Sequence, residues 1–470
     1  MPKLRFSVRL TTLMFRFRSD RKANIAVIFA LAMVPTIYLL GMTLDYTQAV
    51  HKRSQLNAAI DAAVIATVTP SMLSQSATAA QTAATNIFNA TANGLSGLSA
   101  PPTLTVNITN TGLVRTSTIS YTAASTNNFA GLLGEAAWGI GGTTSASASG
   151  APNINFYLLL DTSPSMAIAG TPAGITTMVN NTSSQGGCAF ACHESNPAAD
   201  GLGNPGGEDN YALARSLGVT LRIDLMSQAV ANLMTTASSM EQTNNNTYKV
   251  ALYSFDYGFN TVYAPSGLPT ANLSAAGSAA TQNIQLLEVY DNNNLTSTNN
   301  NSDTDTNFSN ALQSLNTIMP APGGGTSNQG DTPQEVVFLV TDGVEDKIVS
   351  GASSCSQLVL SLGSGQYRCQ QPFDTTWCTT VKNRGIRIAV LYTEYLQLPT
   401  NSWYMTYDGV AGGGIAPWNS PTPSTGLIAT SLQSCASPGL FYDVQSGGDI
   451  TAALNALFQL VVATAAHLTH

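Results

Sequence analysis

Charge is scarce in this chain. Only 9% of its 470 residues are Asp, Glu, Lys or Arg. Histidine, the side chain most often used as a general base, is confined to His51, His193, His467 and His470. No G-x-S-x-G elbow, H-E-x-x-H helix or P-loop lysine is present, and Gly323-Gly-Gly-Thr-Ser327 lacks the lysine that would meet a phosphate. These absences argue against hydrolase, metalloprotease and nucleotide chemistry, so no enzyme and no catalytic residue are expected. The acid pairs Asp303/Asp305 and Glu345/Asp346 read as solvated loop charges. Ser, Thr, Asn, Ala and Gly are abundant, a composition common in exported surface proteins.

What charge there is lies unevenly. Residues 1–22 hold seven Lys or Arg against Asp20, a net of +6, so the remainder carries −14 of the total −8. Ala23–Leu44 then holds no charge and includes the apolar run Ile25-Ala-Val-Ile-Phe-Ala-Leu-Ala-Met-Val34. About 20 apolar residues cross a bilayer as a helix. Pro35 is tolerable in such a helix. Flanking cations stay on the cytoplasmic side, which places Asp45 and everything after it outside. A cleaved signal peptide is the rival reading, but its apolar core is usually shorter and Gly41-Met-Thr43 only loosely fits a cleavage site. An uncleaved anchor is therefore expected. A basic arm beside such a span, with no reading motif after it, is not expected to bind nucleic acid. Leu454–Ala466 is apolar but too short to cross, and reads as a packed helix.

All six cysteines (Cys188, Cys192, Cys355, Cys369, Cys378 and Cys435) fall on the exported side, where disulfides form. Cys355, Cys369 and Cys378 are expected to staple one insertion, with Cys435 as a possible partner. Cys188-Ala-Phe-Ala-Cys192-His193 reads as a small disulfide loop beside an incidental His. A haem-attachment variant and a zinc site are its rivals.

Along the chain, Leu56, Ala59, Ile60, Ala63 and Val64 recur at helical spacing, so the membrane helix is expected to continue as one rod through Thr69. Ser71–Ala92 is moderately helical. Leu104–Ile108 and Thr116–Tyr121 alternate apolar and polar around Asn110-Thr-Gly112, a hairpin signature. Phe129–Gly134 reads as one helical turn, and Gly139–Gly150 as a linker or edge strand. From Asn153 the pattern changes. Buried-type strands (Ile154–Leu160, Lys249–Phe255, Glu335–Thr341, Ile386–Tyr392, Leu440–Val444) alternate with helices (Arg222–Leu233, Phe308–Met319, Thr375–Asn383, Ile450–Ala466). Ile284–Val289 is expected to add another strand. Such alternation implies a parallel α/β sheet.

Three segments carry the site. Asp161-x-Ser163-x-Ser165 follows the first strand. In Thr306-Asn-Phe-Ser-Asn-Ala-Leu312 a Thr opens a helix as a candidate N-cap. Val337-Phe-Leu-Val-Thr-Asp342-Gly343 ends a strand. Hard oxygens at the carboxyl edge of such a sheet suit Mg²⁺ or a similar cation. In this order the segments resemble a von Willebrand factor A domain with a metal-ion-dependent adhesion site. That likeness implies a doubly wound, mostly parallel sheet, with Asp161, Ser163, Ser165, Thr306 and Asp342 holding Mg²⁺, Mn²⁺ or Ca²⁺.

The N-terminal part adds a second resemblance. The basic arm, Asn24-Ile-Ala-Val-Ile-Phe-Ala30, Leu44-Asp-Tyr46 and Leu56-Asn-Ala-Ala-Ile-Asp61-Ala-Ala are similar to TadE/TadG-like proteins of Flp (tight-adherence) pilus assembly. The TadG type joins such an anchor to a von Willebrand A domain. The implied layout is a cytoplasmic arm (1–22), a transmembrane helix (23–44) and a helical and β stalk (45–150). The A domain (151–470) follows, with insertions at about 166–215, 265–305, 350–375 and 395–430. The implied protein is anchored in a bacterial inner membrane, with most of the chain periplasmic. It would bind pilus-assembly or envelope partners through their acidic side chains, and no small-molecule substrate. A surface adhesin, and a haem or redox protein built on Cys188, Cys192 and His193, are the alternatives.

Overall fold

The computed structural model describes residues 21–199, 201–291, 303, 305–327, 330–351, 353, 358–394, 426–444 and 449–465. The basic arm up to Asp20, Cys355 and most of the stretch 395–430 lie outside them. The chain separates into two compact units, Met1–Ser149 and Gly150–His470.

The first unit is organised on α1 (Arg21–Thr67), a helix of 47 residues. At about 1.5 Å rise per residue it is roughly 70 Å long. Its two halves differ in what they bury. From Ile25 to Leu44 large apolar side chains stand exposed on all sides, Phe29 and Leu31 among them. It is long and apolar enough to cross a membrane. Beyond Asp45 the apolar positions narrow to one stripe, Leu56, Ala59, Ile60, Ala63 and Val64, and these are buried. They pack on Ala84 and Phe88 of α3 (Ala77–Ala92), which follows the single turn α2 (Pro70–Leu73). They also meet Ile119 and Tyr121 of an antiparallel sheet ordered β1 (Thr103–Thr111), β2 (Val114–Thr126), β3 (Ala137–Ser149). Gly139–Gly150 is thus mostly edge strand. Arg115, buried on β2, donates to Met72 O and Gln75 O at 2.6 Å each and to Thr67 O at 3.4 Å, which ties the sheet to the end of α1.

The second unit is built on a six-stranded sheet. In chain order its elements begin with β4 (Ile154–Asp161), α4 (Pro172–Asn181), α5 (Asn210–Ser216) and α6 (Arg222–Asn244). Then come β5 (Tyr248–Phe255), β6 (Phe259–Tyr263), α7 (Leu273–Asn283) and α8 (Phe308–Ile318). Next are β7 (Gln334–Thr341), β8 (Val344–Ser350), β9 (Leu358–Gly363) and β10 (Gln366–Pro372). Last are α9 (Thr376–Asn383), β11 (Arg387–Thr393), α10 (Leu427–Cys435), β12 (Phe441–Val444) and α11 (Ile450–Ala465).

The central order is β12-β11-β7-β4-β5-β6, all parallel except the β5–β6 edge hairpin. This is a doubly wound α/β sheet. The chain goes from β4 to β5 on one side and returns to β7 on the other, so the winding reverses at β4. Ligands bind at the carboxyl edge of such a reversal. The strands are apolar on both faces because helices cover both. Phe458 of α11 lies 5.0 Å from Phe156 of β4, and Ile223, Met226, Val230 and Leu233 of α6 are buried at helical spacing.

Several expectations need correction. Ile284–Val289 forms no central strand. Only Leu286 and Val289 are buried there, and the segment runs over the sheet edge, with Leu287 N–H donating to Thr162 O and Val289 bridged to Glu194. Glu345 and Asp346 are not solvated. They are 0% and 4% exposed in β8, within a small antiparallel sheet β8-β10-β9, where Arg368 of β10 pairs with Asp346 and Asp303. The burial survives because the Arg368 guanidinium compensates Asp346 and the Lys347 ammonium, 2.8 Å away, compensates Glu345. Cys378 is bonded to Cys435, and Cys369 is also in a disulfide. Cys188 and Cys192 are thiols, not a disulfide loop.

Candidate metal centre

The site is assembled where β4 and β7 end side by side. Asp161 closes β4, and the register of the pair (Leu160 beside Val340) sets Thr341 next to it. Asp161 Oδ1 accepts from Ser163 N at 3.0 Å and Ser163 Oγ at 2.6 Å, while Oδ2 accepts from Thr341 Oγ1 at 2.6 Å. Ser163 Oγ lies 2.9 Å from Ser165 Oγ. The two-residue spacing works because Ser163 is extended and Pro164–Ala167 turns at once into a 3₁₀ segment, which folds Ser165 back toward Asp161. Gly343 follows Asp342 with a φ of +83°, and a side chain there would strike Ile428 and Leu432. The glycine therefore lets β7 end abruptly with Asp342 at the edge.

Asp161 and Asp342 are both fully buried. Burial first, and then the Asp342 charge, pushes the Asp161 carboxyl up to about 7, against hydrogen bonds from Ser163 and Thr341 that favour the ionised form. Two buried carboxylates that repel each other, lined by hydroxyls, fit a hard divalent cation, which would relieve both burdens. Among the described residues no group of three or more His, Cys, Asp and Glu is placed to hold a metal. The oxygen set here is different, two acids supplemented by hydroxyls.

Thr306 is placed differently from the expectation. The N-cap of α8 is Asn307, whose side chain accepts from Asn310 N at 3.0 Å. Thr306 instead exchanges backbone hydrogen bonds with Asp346, at 3.0 and 2.9 Å. Asn307 N–H donates to Asp256 O just beyond β5, so this loop reaches the same sheet edge as Asp161. The structure thus brings Asp161, Ser163 and Ser165 into direct contact, sets Asp342 against them, and puts Thr306 on the neighbouring loop.

Arg222 was not foreseen. Its guanidinium is buried, lies 3.5 Å from Asp342 Oδ2, and donates to Thr393 O and Glu394 O at the end of β11. A signal existed: α6 opens on a cation, where the helix dipole disfavours one. The long insertion does not displace it. Gly170 N–H donates to Thr220 O and Arg222 N–H to Ile168 O, so the chain leaves and re-enters at one point. Among the site oxygens, Ser165 alone belongs to a half-exposed residue of the Asp161 loop.

The Cys188/Cys192/His193 segment does other work. His193 Nδ1 sits 2.9 Å from Asp209 Oδ2 and its ring packs on Tyr211. Hydrogen bonding with Cys188, and then burial, push the Cys192 thiol up.

Residues 23–69 match the Tad family, described as "Putative Flp pilus-assembly TadE/G-like". No curated protein matches the chain. Solved structures that match include the PilB minor pilin from Streptococcus sanguinis, at 12% identity and a TM-score of 0.32, covering 78% of this chain and 80% of that one. The vWF domain of the type V pili tip protein Mfa5 from Porphyromonas gingivalis is 9% identical at 0.33, covering 67% of this chain and 96% of that one. The pilus adhesin SpaC from Lactobacillus rhamnosus GG is 12% identical at 0.32; 77% of this chain matches, spanning 34% of SpaC. Scores this low add nothing to what the strand order establishes. Residues 23–69 are thus similar to TadE/G-like proteins of Flp pilus assembly, and the second unit is a doubly wound α/β sheet.

Proposed function

We propose that this chain is an envelope protein of Flp pilus assembly or anchoring, held in the inner membrane by Ala23–Leu44, with its larger part periplasmic. It binds partner proteins rather than transforming a substrate. Asp161, Ser163, Ser165, Thr306 and Asp342 would hold Mg²⁺ or a similar cation, some directly and some through water. With only two carboxylates in the set, the bound cation keeps positive charge, which a partner's Asp or Glu completes. A partner side chain enters past Ser165, since Asp161 and Asp342 are buried behind it.

One observation carries the reading. Two fully buried acids, each ending an adjacent parallel strand, are kept together at the point where the sheet reverses its winding. Arg222 offsets one charge, so two mutually repelling buried acids still leave a net negative charge that favours a further cation. The test is calorimetric titration of Mg²⁺ and Mn²⁺ into the full chain in detergent, for wild type and Asp161→Asn. The amide keeps the shape and loses the charge. Saturable binding that the substitution abolishes is the expected result. A wild type that binds neither ion would reduce the motif to fold architecture.

A further inference from the structure

The turn between β2 and β3 presents two large apolar side chains that the first unit does not use. Leu132 and Leu133 are 70% and 61% exposed. They are not on a loose loop. The Asp45 carboxylate accepts the backbone N–H groups of Asn128 at 3.0 Å and of Phe129 and Ala130 at 2.8 Å each. Ala130 is buried, and a side chain at Gly41 would collide with the Phe129 ring, so the turn lies flush on the flank of α1. Gly134, at a φ of +99°, closes it.

The point of attachment says what covers the leucines. Gly41 lies in the last turn of the uncharged stretch Ala23–Leu44, and Asp45 is the first charge after it. A helical stretch of that length rises roughly 33 Å, close to the hydrocarbon thickness of a bilayer. The turn is therefore fastened at the level where α1 leaves the hydrocarbon. At the same level the rings of Tyr46 and Trp138 meet edge-on at 5.7 Å, and such aromatics are favoured at a membrane–water boundary. The other end of the sheet, held by Arg115 to Thr67, is roughly 33 Å further along α1.

We infer that Leu132 and Leu133 enter the boundary between acyl chains and headgroups of the leaflet from which α1 emerges. They form a second, shallow lipid contact that fixes how the first unit stands on the bilayer. This deepens the anchor reading of α1 and rests on it.

The test uses the full chain in vesicles of phosphatidylethanolamine and phosphatidylglycerol, with or without acyl chains brominated near the headgroup. Leu132→Trp and Leu133→Trp are compared with Phe29→Trp inside the span and Thr111→Trp on the far turn, each against the wild-type emission. The added emission at positions 132 and 133 is expected to be blue-shifted and lost on bromination, while that at 111 is unaffected. Quenching at 29 without quenching at 132 or 133 overturns the inference and turns the leucines toward a protein partner. If position 29 also escapes quenching, the anchor reading itself fails.

Discussion

Arg222 sets two opposing demands at one carboxylate. Its charge compensates buried Asp342 at 3.5 Å and also opposes any divalent cation beside that acid. Even at an effective dielectric near 20, a charge pair at this range is worth several kcal/mol. Arg222→Met is therefore expected to tighten Mg²⁺ binding by roughly tenfold, or about 1.4 kcal/mol. The same change leaves Asp342 buried and uncompensated, so the metal-free protein should lose about 3–5 kcal/mol. Urea unfolding with and without Mg²⁺ separates the two effects, because the cation should restore most of the loss. An Arg222→Met protein with unchanged stability and unchanged affinity would show that the ion pair is inert. The sequence shows Asp161, Ser163 and Ser165 clearly because their contacts are local, two residues apart. Arg222 is hidden because its partner is 120 residues away, and the contact depends on how the insertion closes at Gly170 and Thr220. Thr306 was legible as a helix entrance, but the cap is one residue later, at Asn307. A short polar side chain at either position satisfies the same preference.

Elements with a strong period were readable, and those whose burial depends on compensated charge were not. The rod α1 shows in its change from an all-apolar surface to a single stripe after Asp45. By contrast β8 carries Glu345, Asp346 and Lys347, which look like a solvated loop until Arg368 and Gln371 supply their partners. The turn after β2 depends on α1 in a way that sequence separation conceals. Asp45 serves three backbone donors more than 80 residues away. Asp45→Ala strands those donors, at about 1–3 kcal/mol. Hydrogen exchange of the amides of Asn128, Phe129 and Ala130 should accelerate sharply, while the paired amides of β2 keep their protection. Equal acceleration across both would mean that Asp45 holds up the whole unit rather than the turn.

For the molecule as a whole, the acids are where sequence and fold diverge most. A chain with so few charges nevertheless buries Asp161, Asp342, Glu335, Glu345 and Asp346 in one unit. Glu335, at the start of β7 and remote from the metal edge, is the cleanest to follow. Burial raises its carboxyl from 4.5 to about 7, against a hydrogen bond from Asn155 that favours the ionised form. In that interval the folded chain holds a proton that the unfolded chain has released. Stability is therefore greatest below 4.5 as far as this group is concerned, and falls as pH rises to about 7. The loss is on the order of 3 kcal/mol, or several degrees in melting temperature for a unit of this size. Glu335→Gln keeps the contact with Asn155 and has no proton to lose. Thermal unfolding of both proteins across that pH interval is expected to show a shallower slope for the variant, with the two curves furthest apart at the alkaline end. Parallel curves would mean that Glu335 is ionised in the folded state, with its charge compensated by Lys249 and Arg384, whose fields already act on it.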